Sequence, residues 1–595
     1  MSKDKLDEKI LRGIDLSDSN VNQPDMNPEL KKKIIKILEE KIPSRFISGD
    51  WALRVPYSRD QMGGGNTNIE QFNSPDIVVL PNSVEDVAHI CQVALKYGIA
   101  VLPVSTGANV CNMAVPIFKG IMIDFKRMNR IIEIDTDGLT MTLEPYVPYC
   151  RAQAEAHKHN LRINVPGAPN SAAVLSNCFF IGDKYFSAKF GYGPMEIMGA
   201  EIVLPNGKII RTGALSYNPI EKLPDYISGK HMKPREPEEG RVCVQSWGPD
   251  MTGLPYQGCG GNGIVTKICI KVYPKIKESK ILMLGFKKLK NFVSVLSEIC
   301  GNYIGYGGIC SGPEYTIPAQ FNSTEDTDNM NELRNNPEIA MKKMMKPGLQ
   351  LDKPMKETIE GILALKGRDY SMSVYLIGTK RKVEYDYKRV QRIIKDRTIT
   401  SERPGDASKF VKNMMWMFNK DADPELNYKF LQLIGTKHLP YDWYLRGGKI
   451  WEYNETPTRI MRRAGGFILQ SPRMPFGKMP WAFDIFLDEM KKEGYDVEHG
   501  EFSTYINSGS GAHYACLELD VVYNPKVQKE RDTALNIMKN VQFRLMNEGI
   551  FFPTNMRAIR ELVESMVMPK LWKITKEIRE NLQATVLAPD KTPTI

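Results

Sequence analysis

The residues best suited to chemistry begin with the run Ser105-Thr106-Gly107-Ala108-Asn109-Val110, which follows Pro103 and Val104. Successive backbone N–H groups of small residues can close around phosphate oxygens, because no bulky side chain keeps the ligand away. The same composition also serves plain turn geometry, so the run alone leaves both readings open. Proton chemistry points elsewhere. Seven histidines occur in the 595 residues. His89, His157 and His159 fall on helices, His231 and His438 in loops, and His499 in a charged turn, whereas His513 lies in a Gly/Ser-flanked strand beside apolar residues. A base tuned near neutral pH fits that setting, and so does a structural histidine bonded to backbone. Arg463, Arg446 and Arg473 are candidates for a carboxylate clamp, since a guanidinium fork matches two carboxylate oxygens. Tyr444 stands in an aromatic group with Tyr441, Trp443, Trp451 and Tyr453 that suits an apolar substrate pocket or an ordinary core. His513, Arg463 and Tyr444 form the candidate catalytic set. Ten cysteines are scattered with no C-x-x-C pair and no Cys/His cluster at ligand spacing. That argues against an iron–sulfur centre, a zinc site or a disulfide framework, and no metal is expected.

The elements that must hold the turn are written around it. Asp76–Pro81 is a short apolar run ended by proline, as a buried strand would be. Ser83 with Glu85 and Asp86 reads as a helix N-cap with an acidic first turn, and Val87, Ile90, Cys91, Ala94 and Leu95 repeat at helical spacing until Gly98. Ala100–Val104 is a second buried strand leading directly into Ser105. The length predicts more than one domain. A formal charge of +10 is mild, and the basic residues come in short clusters such as Lys31-Lys32-Lys33; nucleic acid would need a concentrated stripe or a recognisable module, and is not expected as a partner. No apolar run approaches the roughly 20 residues of a membrane span, and the amino terminus has no signal-peptide core, so a cytoplasmic location is expected.

More of the pattern follows in order. PDIVVLPNSVEDV at Pro75–Val87 and PVSTGAN at Pro103–Asn109 are followed by a strand at Gly120–Lys126, MNRIIEID at Met128–Asp135 and LEPYV at Leu143–Val147. VPGAPNSAAVLSN at Val165–Asn177, YGPMEIMGAEIVLPNG at Tyr192–Gly207 and GNGIVTKICI at Gly261–Ile270 complete it. Together these segments resemble the FAD-binding domain of the vanillyl-alcohol oxidase and p-cresol methylhydroxylase flavoprotein family, which also takes in the flavin subunits of glycolate and D-lactate dehydrogenases. The resemblance implies an α+β fold: a two-subdomain FAD-binding domain of the p-cresol methylhydroxylase type, and an antiparallel-sheet/helix cap domain for substrate. It implies FAD as cofactor, held by Pro103, Val104, Ser105, Thr106, Gly107, Ala108, Asn109 and Val110. Pro166, Gly167, Ser171, Val174, Ser176, Asn177, Tyr192, Gly193, Gly263, Ile264 and Val265 would complete the cofactor site.

The resemblance also marks departures. Where oxidase members carry a histidine that tethers FAD covalently, in a phrase matching Gly465–Pro472, this chain has Phe467, and no histidine occurs over Ser105–Pro116. Non-covalent FAD is expected. The aspartate of the phenol-oxidising branch is replaced by Gly167, and its tyrosine–arginine pair falls at Phe552-Pro553, which puts the substrate in doubt rather than the cofactor. His513 matches a histidine of a family strand that faces the flavin. Tyr514, its neighbour, points to the other side of the same strand, so one of the two can serve the pocket. The implied activity is FAD-dependent removal of a hydride to flavin N5 from an alcohol, hydroxy acid or activated benzylic carbon, with an aromatic or apolar substrate favoured. A glycolate/D-lactate type 2-hydroxy-acid dehydrogenase subunit is the alternative, as is an electron-relay subunit that depends on a partner chain. Expected partners are a small-molecule substrate, a cytochrome, electron-transferring flavoprotein or other redox subunit, and further copies of the chain in a homo-oligomer such as a dimer.

The chain divides, on this reading, into a helical arm (1–50, helix Pro28–Ile42), the FAD-binding domain (51–280), the cap (281–545) and a return to the FAD domain (546–595). The cap shows alternating strands and helices, which pack as an antiparallel sheet with helices on one face. The segment 310–365 reads as a surface excursion.

Overall fold

The structure is a computed structural model. It describes residues 26–58, 74–107, 114–116, 119–166, 171–215 except 181, 183 and 185, 250–256, 260–311 except 287 and 305, 370–395, 405–406, 466–495, 502–510, 513–523 and 527–550, with 570, 573, 574 and 577. Residues 1–25 of the expected arm, nearly all of 546–595, and the excursion beyond Ser311 lie outside these, as do Ala108, Asn109, Val110, Gly167, Arg446, Tyr444 and Arg463.

Helix α1 (Pro28–Glu39) is capped by the Asn27 side chain and buries Ile34 and Leu38. It packs on the next long helix, Val84–Tyr97. Strands β1 (Ile47–Ser48), β2 (Ile77–Val79), β3 (Val101–Val104) and β4 (Ile121–Asp124) form a sheet in the order β1-β2-β4-β3, with β2, β4 and β3 parallel. Their unbroken apolar runs are what parallel strands covered on both faces require. Helix α2 (Val84–Tyr97) starts where the Ser83 side chain accepts the Asp86 N–H and ends at Gly98, whose φ of 64° suits a residue without Cβ.

A second sheet is antiparallel, in the order β5-β6-β10-β8-β9: β5 (Ile131–Asp135), β6 (Thr140–Leu143), β10 (Ile264–Lys271), β8 (Ile197–Val203) and β9 (Ile209–Gly213). Between β6 and β8 the chain makes α3 (Tyr149–Lys158), β7 (Leu161–Arg162), the short helix α4 (Val174–Phe179) and the single turn α5 (Ser187–Phe190). The strand β11 (Tyr273–Pro274) pairs with β7.

The third sheet runs β15-β12-β14-β13-β18-β19-β16, with β17 beside β19. Its strands are β12 (Glu278–Phe286), β13 (Tyr306–Ser311), β14 (Tyr370–Gly378), β15 (Gly405–Asp406), β16 (Gly466–Gln470), β17 (Arg473–Met474), β18 (Phe502–Ser510) and β19 (Tyr514–Tyr523). Helices α6 (Leu289–Gly301), α7 (Lys380–Ile394), α8 (Met479–Lys492) and α9 (Gln528–Asn547) share one core with it. Alternation along the strands assigns the faces. Met372, Val374 and Leu376 of β14 and Ala515, Leu517, Leu519 and Val521 of β19 meet the helices, whereas Tyr375 and Ile377 join the core of the second sheet's domain. One face of the cap sheet therefore closes on the α4–α5 region, where α5 packs against β13 and β18.

The expected strand beginning at His513 starts one residue later. Ser510 pairs with Tyr514 after a register shift at Ser508/Ser510, so His513 stands in the turn that enters β19, while Ser508, Gly509 and Ser510 of the Gly/Ser run remain in β18.

Candidate functional site

A cleft of about 760 Å³, counted with its open mouth, lies between β3 and its following turn, α4, and the start of β10. Of the residues expected from the sequence, Pro103, Val104, Ser105, Gly107, Ser176, Gly263, Ile264 and Val265 line it. Ser105 Oγ donates to Ser176 Oγ at 3.0 Å, which ties the turn to α4. Thr106 is adjacent and half-buried; Val174 is turned into the core and Ser171 is exposed. Pro166 is buried and forms a bridge with Lys184. Sequence reasoning missed Ala114, Phe125, Leu175, Phe179, Phe180, Pro145, Pro255 and Gly260, which supply most of the apolar wall. Gly260 was the legible one, standing in the glycine-rich run before Gly263.

The cleft is built by glycine and small residues. Gly107 has φ 69°, Gly260 φ 92° and Gly263 φ 128°. A Cβ at Gly260 would lie 2.7 Å from Pro103 Cδ, and one at Gly263 2.6 Å from Ile202 Cγ2. The lining carries no charged side chain among the described residues, so an anionic group here is met by backbone N–H groups and the Ser105–Ser176 hydroxyls. An apolar slot with a small-residue turn at one end suits a flat ring system carrying a diphosphate.

Beneath α4 lies a buried polar cluster. Tyr149 Oη donates to Asn177 Oδ1 at 3.0 Å. Lys184 Nζ is 3.6 Å from Cys178 Sγ and 4.3 Å from the centre of the Tyr149 ring. Glu196 accepts from Asn164 Nδ2 and Tyr273 Oη, both at 3.0 Å. Burial pushes the Lys184 ammonium down to about 7, and it pushes the Glu196 carboxyl up to about 7 against the pull of Lys184 and its hydrogen bonds. Tyr192 and Gly193 sit over this cluster. A Cβ at Gly193 would stand 2.8 Å from Cys178 Cα, so the loop rests directly on the α4 backbone.

The same loop meets the cap. The rings of Tyr192 and Tyr514 pack edge to face at 5.9 Å, and the Arg473 guanidinium lies 5.3 Å from the Tyr192 ring centre. His513 is exposed in the turn that leads into β19, one residue from this junction. Of the two neighbours weighed for the pocket, Tyr514 is the one that reaches the Tyr192 loop. Phe467 pairs with Val522 in the β16–β19 ladder. No set of three His, Cys, Asp or Glu side chains is placed to hold a metal among the described residues, nor is any described helix long and apolar enough to cross a membrane.

Residues 75–213 match a family described as an FAD binding domain. The chain carries an FAD-binding domain, and FAD is its cofactor. Its fold as a whole is that of p-cresol methylhydroxylase: a structure of that enzyme with substrate bound covers 96% of this chain and 98% of its own, with a TM-score of 0.68 at 18% identity. A 4-ethylphenol oxidase from Gulosibacter chungangensis gives 0.66 at 16% identity, over 96% of this chain and 97% of its own. In sequence, the glycolate oxidase subunit GlcD of Bacillus subtilis is 25% identical over 273 residues, 46% of this chain and 50% of that protein. The flavoprotein subunit of 4-cresol dehydrogenase (hydroxylating) from Pseudomonas putida is 23% identical over 419 residues, 67% of this chain and 68% of that protein. The chain thus spans about half the length of the glycolate oxidase relative.

Proposed function

We propose that this protein is an FAD-dependent oxidoreductase that oxidises an alcohol, hydroxy acid or activated benzylic carbon, with an aromatic or apolar substrate favoured. The observation that carries the reading is the closure of one face of the cap sheet onto α5 and the Tyr192 loop, beside a cleft that fits FAD. That closure is where a substrate pocket between cofactor and cap would lie. Bound FAD supplies the two-electron acceptor there. The chain's own work is to position and to move a proton. The Ser105 turn and α4 would hold the cofactor's diphosphate and ring, Tyr192 and Tyr514 would shape the apolar end of the pocket, and His513, which stands in the turn before β19 and so is not bound by strand alternation, would take the substrate proton. Arg463 and Tyr444 complete the proposed catalytic set, with Ala108, Asn109, Val110 and Gly167 on the cofactor side. Non-covalent FAD is part of the proposal, because Phe467 stands where the resemblance places the tethering histidine.

A 2-hydroxy-acid substrate is the second reading, favoured by the glycolate oxidase relative. A redox partner chain is proposed because the cresol dehydrogenase relative is a flavoprotein subunit; a cytoplasmic location and a homo-oligomer are part of the same proposal. The deciding experiment is anaerobic mixing of the purified yellow protein with 4-alkylphenols, benzylic alcohols, glycolate and D-lactate, following loss of the flavin band. Bleaching by the aromatic set alone supports the first reading and bleaching by the hydroxy acids alone the second. Bleaching by none, with or without candidate redox subunits, rejects both. Acid precipitation should leave FAD in the supernatant; colour in the pellet overturns the non-covalent assignment.

A further inference from the structure

The cluster beneath α4 contains a pairing for which the cofactor reading has no use. Cys178 and Lys184 are each 1% exposed, and their Sγ and Nζ atoms lie 3.6 Å apart. Both side chains are held by fixed backbone. Cys178 sits on α4 under Gly193, while Lys184 is bridged to Pro166 and its N–H donates to Ser187 Oγ at 2.9 Å. The two residues are close in sequence, so a bond between them needs no chain movement beyond side-chain rotation.

Their chemistry is matched as well as their positions. Burial lowers the Lys184 ammonium to about 7, so near neutral pH roughly half of the amine is uncharged and can act as a nucleophile and a base. Burial also keeps the Cys178 thiol protonated, and the adjacent amine is the group that can take its proton. A thiol and an amine in this arrangement can be oxidised jointly, where a thiol alone would proceed along the sulfenic, sulfinic and sulfonic series.

We propose that Cys178 and Lys184 are a redox modification site, in which molecular oxygen joins Sγ to Nζ through one bridging oxygen atom. In the step, the S–H bond and one N–H bond break while an S–O and an O–N bond form. One atom of the oxygen molecule enters the bridge, and the other leaves as water with the two hydrogens. Sulfur and nitrogen each give up one electron pair, and the oxygen molecule takes both pairs. Four equivalents of an external thiol, oxidised to two disulfides, cleave the bridge to the Cys178 thiol, the Lys184 amine and one water. Because α4 also carries Ser176 on the cleft wall, the bridge staples the cofactor-binding helix to the segment under it.

The test uses full-length protein with its FAD, divided between an anaerobic sample kept with thiol reductant and a sample exposed to air. Both are denatured, alkylated at thiols, digested with trypsin and weighed by mass spectrometry. The air-exposed sample should yield a peptide from Ile163 to Lys189 left uncut after Lys184, with Cys178 unalkylated and the mass raised by one oxygen less two hydrogens. Treatment with reductant should restore cleavage after Lys184 and alkylation of Cys178, and the Cys178→Ala variant should be cut after Lys184 in air. Comparison of the two wild-type samples decides the matter even if that variant does not fold. Full cleavage and full alkylation in both samples overturn the proposal. A gain of oxygen alone with Lys184 still cut, or a loss of two hydrogens without oxygen, also overturns it, the first meaning a sulfenic acid and the second a direct S–N bond.

Discussion

At the scale of single residues, glycine geometry decides the cleft. Gly260 combines φ 92° with a wall at 2.7 Å from any added Cβ, and it lines the site. Gly260→Ala should weaken FAD binding by about one to two powers of ten, from strain of about 1–3 kcal/mol. Gly98→Ala is the comparison: its φ is 64°, nothing lies within 4 Å of the added Cβ, and it caps α2 away from the cleft. That variant should lower the urea midpoint and leave FAD affinity unchanged; equal effects of the two on FAD would mean that the cleft is misassigned. His513 carries a second prediction. If it takes the substrate proton, His513→Gln should slow anaerobic flavin bleaching about 100-fold or more with FAD content intact. Because the residue is exposed in a turn, a merely structural role predicts no change in rate. The sequence makes His513 visible through its rarity, and the strand expected to include it begins one residue later, at Tyr514. Lys184 and Glu196 were invisible, since a lysine in Gly-Asp-Lys-Tyr-Phe reads as solvated and only tertiary packing buries it.

At the scale of elements, what was legible is what is encoded locally. Helix α2 carries both of its caps in its own sequence, Ser83 and Gly98, and its predicted limits agree with those observed to a residue. Helix α7 begins at Lys380, where Thr379 caps it by accepting the Lys382 N–H. Helix α4 has no side-chain cap and only six residues, so nothing local announces it; it is set by Val174 and Leu175 packing into the core and by the Val174 N–H donating to the Val147 carbonyl at 3.0 Å. The cluster under α4 makes a pH prediction. The folded Glu196 binds its proton up to about pH 7, against an ordinary value of 4.5, so the stability it contributes is full below about 4.5 and is lost as pH rises through about 7. Lys184 has the opposite sign: its folded value is depressed from 10.5 to about 7, so its contribution is full above 10.5 and is lost as pH falls through about 7. Glu196→Gln keeps an acceptor for Asn164 and Tyr273 and removes the titration. The urea midpoint of the native protein should drop between about pH 5 and 7, by on the order of a few kcal/mol of stability, and that drop should vanish in the variant. Parallel pH curves for the two proteins would reject the assignment.

At the scale of the whole molecule, the resemblance fixed the two-part architecture, but the order of the cap sheet was out of reach. β14 pairs with β12 and β13, from which it is separated by more than fifty residues of chain, and no local pattern selects such partners. What the alternation of β14 and β19 does encode is a sheet with two unlike faces, one for the helices and one for the FAD-binding domain. Phe186–Tyr375, at 6.4 Å between ring centres, and Tyr192–Tyr514 are aromatic contacts across that second boundary. They differ in consequence. Tyr375 belongs to the core, so its loss should register as stability; Tyr514 is half-buried and touches the loop that rests on α4. Tyr514→Leu removes an edge-to-face pair worth about 0.5–1.5 kcal/mol and leaves every residue lining the cleft in place. FAD affinity should therefore change little, while the rate of anaerobic bleaching by substrate should fall, because the cap no longer seats on the Tyr192 loop in the geometry the transfer requires. Stopped-flow reduction and FAD titration on the same preparation separate the two effects. Unchanged reduction with weakened FAD binding would place Tyr514 in support of the cofactor alone, and the pocket between cap and FAD-binding domain would then have to lie elsewhere along the sheet.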